Sequence, residues 1–154
     1  MALQKGDPVP SFKLKDKDGD WFDISTVAGK KTLVIYFYPK NFTPGCTKEA
    51  CSFRDSYADF KEHGAEVIGI SSDSSTSHAR FAKKHNLPFI FLADEKGQVR
   101  KQFGVKSELF GLLPGRETFI FNAQGKLILK YNSLKATTHT KKALQAIKQL
   151  DHEN

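Results

Sequence analysis

Residues 33–51 read LVIYFYPKNFTPGCTKEAC, and this stretch decides the fold. The apolar run 33–38 is nearly continuous, which predicts a central β-strand covered on both faces. A turn rich in Pro and Gly follows. Apolar residues then recur at spacings of three and four, which predicts a helix over 46–62 that ends at Gly64. The chain therefore carries Cys46 from the end of a strand to the beginning of a helix.

Cys46 and Cys51 are the only cysteines of the chain. The beginning of a helix has unpaired backbone N–H groups and the positive end of the helix dipole, so it favours a thiolate at Cys46. In a reducing compartment, two cysteines are more typical of catalysis or metal binding than of a structural disulfide. The pair therefore indicates redox chemistry that uses both sulfurs in turn.

The spacing of the two cysteines sets a geometric condition on that chemistry. In a regular helix, Cys46 and Cys51 would lie about 7.5 Å apart along the axis and point in directions about 140° apart. A disulfide needs Cα atoms about 4.4–6.8 Å apart with converging Cβ vectors. We therefore expect Cys46 to react within the wound helix, after which the first turn opens and Cys51 reaches it.

Predicted strands and helices alternate along the rest of the chain, which favours an α/β fold. One hairpin surrounds the turn 17–20 and another surrounds 122–125. Further strands are predicted at 66–72, 88–92, 117–121 and 126–130, and further helices at 74–86, 95–105 and 140–150. We expect a mixed central β-sheet with helices on both faces and an N-terminal β-hairpin. Cys46 would then lie at the carboxyl end of the sheet, where such folds place their sites.

Length and composition indicate one soluble domain over residues 1–154, because a chain of this length with 39% apolar residues can bury its own core. No apolar run approaches the roughly 20 residues that a membrane span needs. The N-terminus lacks the apolar region of a secretory signal, so a cytoplasmic protein is expected.

The formal net charge of +7 raises the question of an acidic partner such as a nucleic acid. The lysines are scattered, however, and no basic run alternates with aromatic residues, so we interpret the charge as a solvated surface and expect no nucleic-acid binding. The five histidines have no metal-binding spacing relative to the cysteines, so neither a metal site nor a cofactor is expected.

The residues around the cysteines are suited to peroxide chemistry. A thiolate that meets a peroxide becomes a sulfenic acid, which a second thiol condenses to a disulfide. Thr43 supplies a hydroxyl group three residues before Cys46. Arg116 lies in a Pro-Gly-Arg turn directly before a predicted strand, from which its guanidinium could enter a site at the edge of the sheet. A guanidinium there would stabilise the thiolate and donate a hydrogen bond to the leaving oxygen.

These residues fall into a recognisable pattern. Pro39-x-x-x-Thr43-x-x-Cys46 resembles the active-site motif of the peroxiredoxins. Gly45-Cys46-Thr47-x-Glu49-Ala50-Cys51 resembles the bacterioferritin-comigratory, or peroxiredoxin Q, branch of that family. The similarity covers nearly the whole chain, from Gly6-Asp7-x-x-Pro10-x-Phe12 to Arg116-Glu117-Thr118-Phe119-Ile120.

The resemblance implies a thioredoxin-like fold and thiol-dependent reduction of hydrogen peroxide and organic hydroperoxides. It implies that Cys46 is the peroxidatic cysteine and that Cys51 is the resolving cysteine of an intrachain disulfide. It also implies that Thr43 and Arg116 activate the peroxide and that Pro39 shields the thiolate. Thioredoxin or glutaredoxin would be the reductant, and the protein would be a monomer.

Simpler interpretations of these residues stay open on the sequence alone. Either cysteine could be a buried core residue, Thr43 and Pro39 could serve only the turn, and Arg116 could lie on the surface. Two other functions are compatible with a pair of thiols. A general thiol–disulfide oxidoreductase is one, although its usual signature is Cys-x-x-Cys, and a non-enzymatic redox sensor is the other. The apolar segment 110–113 could admit alkyl hydroperoxides, form an association patch or pack as a loop.

Overall fold

The structure is a computed structural model that describes residues 3–105, 107–108 and 113–153. Its strands are β1 Lys13–Asp16, β2 Trp21–Asp23, β3 Thr32–Phe37, β4 Ala65–Ser71, β5 Ile90–Ala93, β6 Ser107–Glu108, β7 Leu113–Pro114, β8 Glu117–Phe121 and β9 Leu127–Asn132. Its helices are α1 Pro44–Asp55, α2 Tyr57–Glu62, α3 Ser75–His85, α4 Gln98–Phe103 and α5 Thr138–Glu153, with a 3-10 turn at Ile24–Thr26.

Seven strands form one mixed sheet in the order β2-β1-β5-β4-β3-β8-β9, and β6 pairs with β7 separately. The three central strands β3, β4 and β5 are parallel, whereas the N-terminal hairpin and the β8-β9 hairpin add antiparallel strands at the two edges. The thioredoxin-like α/β fold, the mixed sheet and the N-terminal β-hairpin predicted from the sequence are confirmed.

The sheet separates two apolar layers, and β3 contributes to both because its side chains alternate between the faces. Val34 and Tyr36 join the layer covered by α1, α2, α3 and α5. Leu33, Ile35 and Phe37 join the layer covered by α4, the 3-10 turn and the N-terminal segment. Every residue of β3 is buried, as its continuous apolar run predicts, and helices cover both faces of the sheet.

The predicted helix over 46–62 is wrong in one respect, because it is two helices. α1 ends at Asp55, and Ser56 adopts φ −104° and ψ 4° before α2 begins. Asp and Ser have low helix propensities, so this is where the helix is easily interrupted. The break lets the short α2 bury Phe60 completely against the core.

The other predicted elements are present, and their ends lie within three residues of those expected. The apolar segment 110–113, for which the sequence leaves three interpretations open, lies outside the described residues except for the backbone of Leu113. Within the described residues, no helix combines the length and the apolar character that crossing a membrane requires.

The topology brings three chain segments together at the end of the sheet where the parallel strands finish. The parallel strands β3 and β4 both end there, with Phe37 paired to Ile70. The antiparallel strand β8 begins there, with Phe37 paired to Glu117. The turn that follows β3 and the residue that precedes β8 are therefore neighbours, although they are far apart in sequence.

Candidate active site

Cys46 lies in the first turn of α1, as the sequence predicts. The helix begins at Pro44, whose ring fixes a helical φ angle, and Thr43 is the extended N-cap residue. The amide of Thr47 donates to the carbonyl oxygen of Thr43 over 2.9 Å, which closes the first turn. Cys46 is a free thiol and is only 2% exposed. The helix dipole and the unpaired amides at this end favour a negative charge on its sulfur.

Arg116 reaches Cys46 from the turn before β8. Its Nη2 lies 3.5 Å from Cys46 Sγ, and its Nη1 donates to Glu49 Oε1 over 2.5 Å. The guanidinium therefore bridges the thiol and a carboxylate within a buried site. Burial by itself lowers the pKa of Arg116, but Glu49 and Cys46 more than offset this effect and raise the pKa above its ordinary value.

Gly45 makes room for this guanidinium. A Cβ atom at position 45 would lie 3.2 Å from Arg116 Nη2, which is tighter than an ordinary carbon–nitrogen contact. Among the described residues, and apart from the neighbours of Gly45 in the chain and the backbone of its own helix, Arg116 Nη2 is the one atom within 4 Å of that Cβ position, so the absence of a side chain there serves Arg116.

Glu49 is a fully buried carboxyl group one helical turn after Cys46. Residues three apart on a helix share a face, so both side chains point toward Arg116. Burial raises the pKa of Glu49 to about 8, against the opposing effect of Arg116. The second carboxyl oxygen, Oε2, has no hydrogen-bond partner among the described residues.

His139 closes the site from the beginning of α5, and it is fully buried. Its Nε2 lies 2.8 Å from the carbonyl oxygen of Ser133, which can only accept a hydrogen bond. Its Nδ1 lies 2.7 Å from the Thr118 hydroxyl and 3.8 Å from Glu49 Oε2. Burial lowers the pKa of His139 to about 4. The ring is therefore neutral near pH 7, with its proton on Nε2 and its lone pair on Nδ1.

The turn between β3 and α1 carries the remaining predicted site residues. Pro39 is half-buried, and the half-buried Thr43 donates from its hydroxyl group to the carbonyl oxygen of Lys40 over 2.9 Å. Both lie in the turn that positions Cys46. The hydroxyl oxygen of Thr43 retains lone pairs with which it can accept a hydrogen bond.

The buried Asn41 and the half-buried Arg100 fix the position of this turn through hydrogen bonds. The side-chain oxygen of Asn41 accepts a hydrogen bond from the Tyr38 hydroxyl over 2.6 Å, and the backbone N–H of Asn41 donates to the Asp73 carboxylate over 2.9 Å. Arg100 donates to the carbonyl oxygens of Tyr38, over 2.9 Å, and of Gly115, over 2.8 Å. Arg100 thus ties the turn that leads to Cys46 to the turn that leads to Arg116.

Cys51 lies in α1 as well and is a half-buried free thiol. Because both cysteines belong to one continuous helix, the separation of about 7.5 Å along the axis applies to them. The structure therefore brings Cys46, Arg116, Thr43 and Pro39 into one region, and it leaves Cys51 in the next turn of the same helix.

Glu49, His139 and Arg100 belong to this region and were not singled out from the sequence. Helical periodicity could have placed Glu49 on the same face as Cys46. For His139 and Arg100 the sequence holds no local signal, because α5 and α4 approach the site only through tertiary packing. Among the described residues, no three His, Cys, Asp or Glu side chains are grouped so that they could hold a metal ion.

Comparison with known proteins agrees with this arrangement. A family model for the AhpC/TSA family matches residues 5–130. The chain is 53% identical over 150 residues to a chloroplastic peroxiredoxin Q of Sedum lineare. The aligned residues cover 95% of this chain and 80% of that protein. This chain spans only 61% of the length of another chloroplastic peroxiredoxin Q, from Populus jackii.

Solved structures give the same result. Peroxidoxin BcpB from Mycobacterium tuberculosis superposes with a TM-score of 0.87 at 37% identity, over 96% of this chain and 97% of that one. The bacterioferritin comigratory protein of Xanthomonas campestris, studied for alkyl peroxide reduction, superposes with a TM-score of 0.82 at 30% identity, over 90% of both chains.

The chain therefore belongs to the AhpC/TSA family, in its peroxiredoxin Q and bacterioferritin-comigratory branch, and is a thiol peroxidase. The resemblance that the motif around Cys46 indicates is confirmed.

Proposed function

We propose that the Cys46 thiolate attacks the O–O bond of a hydroperoxide while Arg116 holds the thiolate and the leaving oxygen. The observation that carries this proposal is the 3.5 Å contact between Arg116 Nη2 and Cys46 Sγ at a buried helix N-terminus. The thiolate sulfur takes the terminal oxygen and becomes a sulfenic acid, and the O–O bond breaks. The remaining oxygen leaves with the bonding electron pair and, after it takes up a proton, departs as water or an alcohol.

Thr43 and Pro39 complete the substrate side of the site in this proposal. Thr43 accepts a hydrogen bond from the peroxide O–H group, because its own proton is already donated to Lys40. Pro39 limits the access of water to the thiolate from the other side of the turn. Both hydrogen peroxide and organic hydroperoxides are proposed as substrates. The reduction of alkyl peroxides is attributed to the Xanthomonas campestris relative.

Cys51 is the proposed resolving cysteine. Its thiol attacks the sulfenic sulfur of Cys46, which forms an intrachain disulfide and releases water. An external dithiol protein of the thioredoxin or glutaredoxin type then reduces this disulfide and is itself oxidised. We propose that the protein does this as a monomer and without a cofactor. A cytoplasmic location stays a prediction from the sequence, and the plant relatives are named chloroplastic.

Rapid mixing of the reduced protein with one equivalent of hydrogen peroxide, followed by mass spectrometry, tests this function. The wild-type protein should consume the peroxide and lose two hydrogens as the 46–51 disulfide forms. Cys51→Ser should still consume one equivalent and gain one oxygen at Cys46. Cys46→Ser should consume none, and consumption near the wild-type rate by this variant would refute the assignment.

A further inference from the structure

Glu49 Oε2 is an unexplained feature of the site, because it is a buried carboxyl oxygen without a hydrogen bond among the described residues. The other oxygen, Oε1, accepts from Arg116 over 2.5 Å. A buried charged oxygen that lacks a partner is strongly disfavoured. The neutral acid form, with its proton on Oε2, removes this cost and leaves the contact to Arg116 in place.

A possible acceptor for such a proton lies across a narrow gap. His139 Nδ1 is 3.8 Å from Glu49 Oε2, and a shift of about 1 Å would bring the two atoms within hydrogen-bond distance. The Ser133 carbonyl fixes the ring proton on Nε2, so Nδ1 presents a lone pair. Thr118 now donates to this lone pair, and a hydroxyl group can rotate to release it.

Cys46, Glu49 and Arg116 form a buried cluster whose net charge favours the transfer of a proton from Cys46 to Glu49. A thiol on Cys46, the Arg116 cation and the Glu49 anion sum to zero net charge. A thiolate on Cys46, the Arg116 cation and the Glu49 acid also sum to zero. A thiolate together with a Glu49 anion would leave one uncompensated negative charge in the cluster, which burial penalises.

The two phenols that face the cluster from β3 and from the turn after it do not alter this balance, because burial raises the pKa values of Tyr36 and Tyr38 well above the ordinary value. From β3, the phenol of Tyr36 faces both Cys46 and Glu49, and it stays neutral. From α4, the Arg100 cation faces Cys46 and is shared with the carboxyl groups of Asp94 and Glu117. From β9, the ring of Tyr131 packs edge-on against the ring of His139, with the two ring centroids 4.9 Å apart.

We propose that Glu49 takes up the proton when Cys46 becomes a thiolate, and that His139 is the positioning residue whose Nδ1 accepts the hydrogen bond of the resulting acid. Ionisation of Cys46 then changes the anionic partner of Arg116 from Glu49 to the thiolate, while Glu49 Oε1 keeps its hydrogen bond to Arg116 and the buried net charge stays the same. When the peroxide removes the thiolate charge, Glu49 releases its proton and becomes an anion again. That proton balances the hydroxide or alkoxide that leaves, so thiol and hydroperoxide give sulfenic acid and water or alcohol.

This inference rests on the proposed role of Cys46, and its test uses the resting reduced protein without peroxide. Infrared spectroscopy detects the C=O stretch of a buried carboxylic acid, and ultraviolet absorbance reports the thiolate. Near neutral pH the wild-type protein should show an acid band that Glu49→Gln abolishes. Cys46→Ser should weaken the band, because Arg116 then pairs with Glu49 alone. Glu49→Gln should increase the thiolate fraction at mildly acidic pH.

Two replacements of His139 separate the positioning role from a structural one. In His139→Asn the side chain keeps an acceptor near the position of Nδ1, so the acid band should persist. In His139→Gln it keeps a donor near Ser133 and loses that acceptor, so the band should weaken and the thiolate fraction should fall. The proposal is overturned if Glu49 is ionised wherever the thiolate is present, or if both His139 variants leave the band unchanged. Failure of peroxide consumption would instead refute the proposed function.

Discussion

At the scale of single residues, the site depends on one guanidinium shared by two groups that can carry negative charge. Arg116 contacts Cys46 and Glu49 through different nitrogen atoms, which a planar fork of donors permits and a single ammonium does not. Gly45 leaves the space that this fork occupies. The requirement for Arg116 and the requirement for Gly45 both follow from this geometry, and each can be tested separately.

Arg116→Lys should slow sulfenic acid formation by about 100-fold, because the Lys ammonium lacks the fork that contacts Glu49 and the reacting sulfur together. Stopped-flow measurement of the second-order rate with hydrogen peroxide checks this. Arg80→Lys is a matched control, since Arg80 is exposed on α3 and its replacement should leave the rate unchanged. Equal rates for both variants would contradict the role given to Arg116.

Gly45→Ala should lower the rate with peroxide without lowering the free energy of unfolding. The added methyl group would lie 3.2 Å from Arg116 Nη2 and push the guanidinium away from Cys46, so the peroxide rate should fall. Gly45 lies within α1, where Ala is favoured over Gly by up to about 1 kcal/mol, so the free energy of unfolding should not decrease. Stopped-flow kinetics and urea unfolding measure the two effects. A wild-type rate would show that Arg116 tolerates the methyl group.

Much of this site could be predicted from local sequence, and part of it could not. Cys46, Thr43 and Cys51 fall within one short motif. This motif is held in place by a strand, a turn and a helix. Glu49 belongs to the same helix, yet its importance depends on burial, which the sequence does not display. His139 reaches the site only because α5 packs beneath β8, which is a tertiary contact without a local signal.

At the scale of elements, α1 must hold Cys46 in place and also release it for disulfide formation. Its beginning is fixed by Pro44 and by the Arg116 contact, and its end is fixed where Arg54 donates to the carbonyl oxygen of His85 over 2.8 Å. The predicted single helix over 46–62 missed the break at Ser56, because apolar periodicity continues through it. The strands were easier to predict, since β3 is a nearly continuous apolar run and β4 carries Val67, Ile68 and Ile70 in a short segment.

Formation of the 46–51 disulfide should unwind the first half of α1 and leave α2 intact. The two cysteines are too far apart along a regular helix to bond, and α2 begins beyond the break at Ser56. Hydrogen exchange on the reduced and oxidised protein should therefore show lost protection at 47–51 and unchanged protection at 58–62. Equal protection of 47–51 in both states would contradict the unwinding.

At the scale of the whole molecule, the site is held by buried and half-buried polar contacts from both layers of the fold. Arg100 from α4 and His139 from α5 approach it from different elements. On the α3 side, His78 is fully buried beside Asn41, with Nδ1 3.0 Å from the Asn41 side-chain nitrogen. Groups that are buried in a fixed protonation state make global stability depend on pH, so the same residues that order the site also set a stability profile.

The two buried histidines and Glu49 should contribute to that profile with opposite signs. Burial lowers the pKa of His78 and of His139 from 6.5 to about 4, so below pH 6.5 the unfolded chain binds more protons and stability falls as the pH falls toward 4. Burial raises the pKa of Glu49 from 4.5 to about 8, so its contribution is complete below pH 4.5 and is lost as the pH rises toward 8.

Two single variants separate these contributions between about pH 5 and pH 6, where one linked proton corresponds to about 1.4 kcal/mol per pH unit. His78→Gln removes one proton taken up on unfolding, so the free energy of unfolding should rise less steeply with pH than in the wild type. Glu49→Gln removes one proton released on unfolding, so it should rise more steeply. Urea unfolding at a series of pH values measures both slopes. Their difference from the wild type, and not the absolute stability of either variant, carries the test, because each replacement also alters packing. Slopes that change in the same direction in both variants would mean that at least one of these groups does not hold the buried protonation state assigned to it.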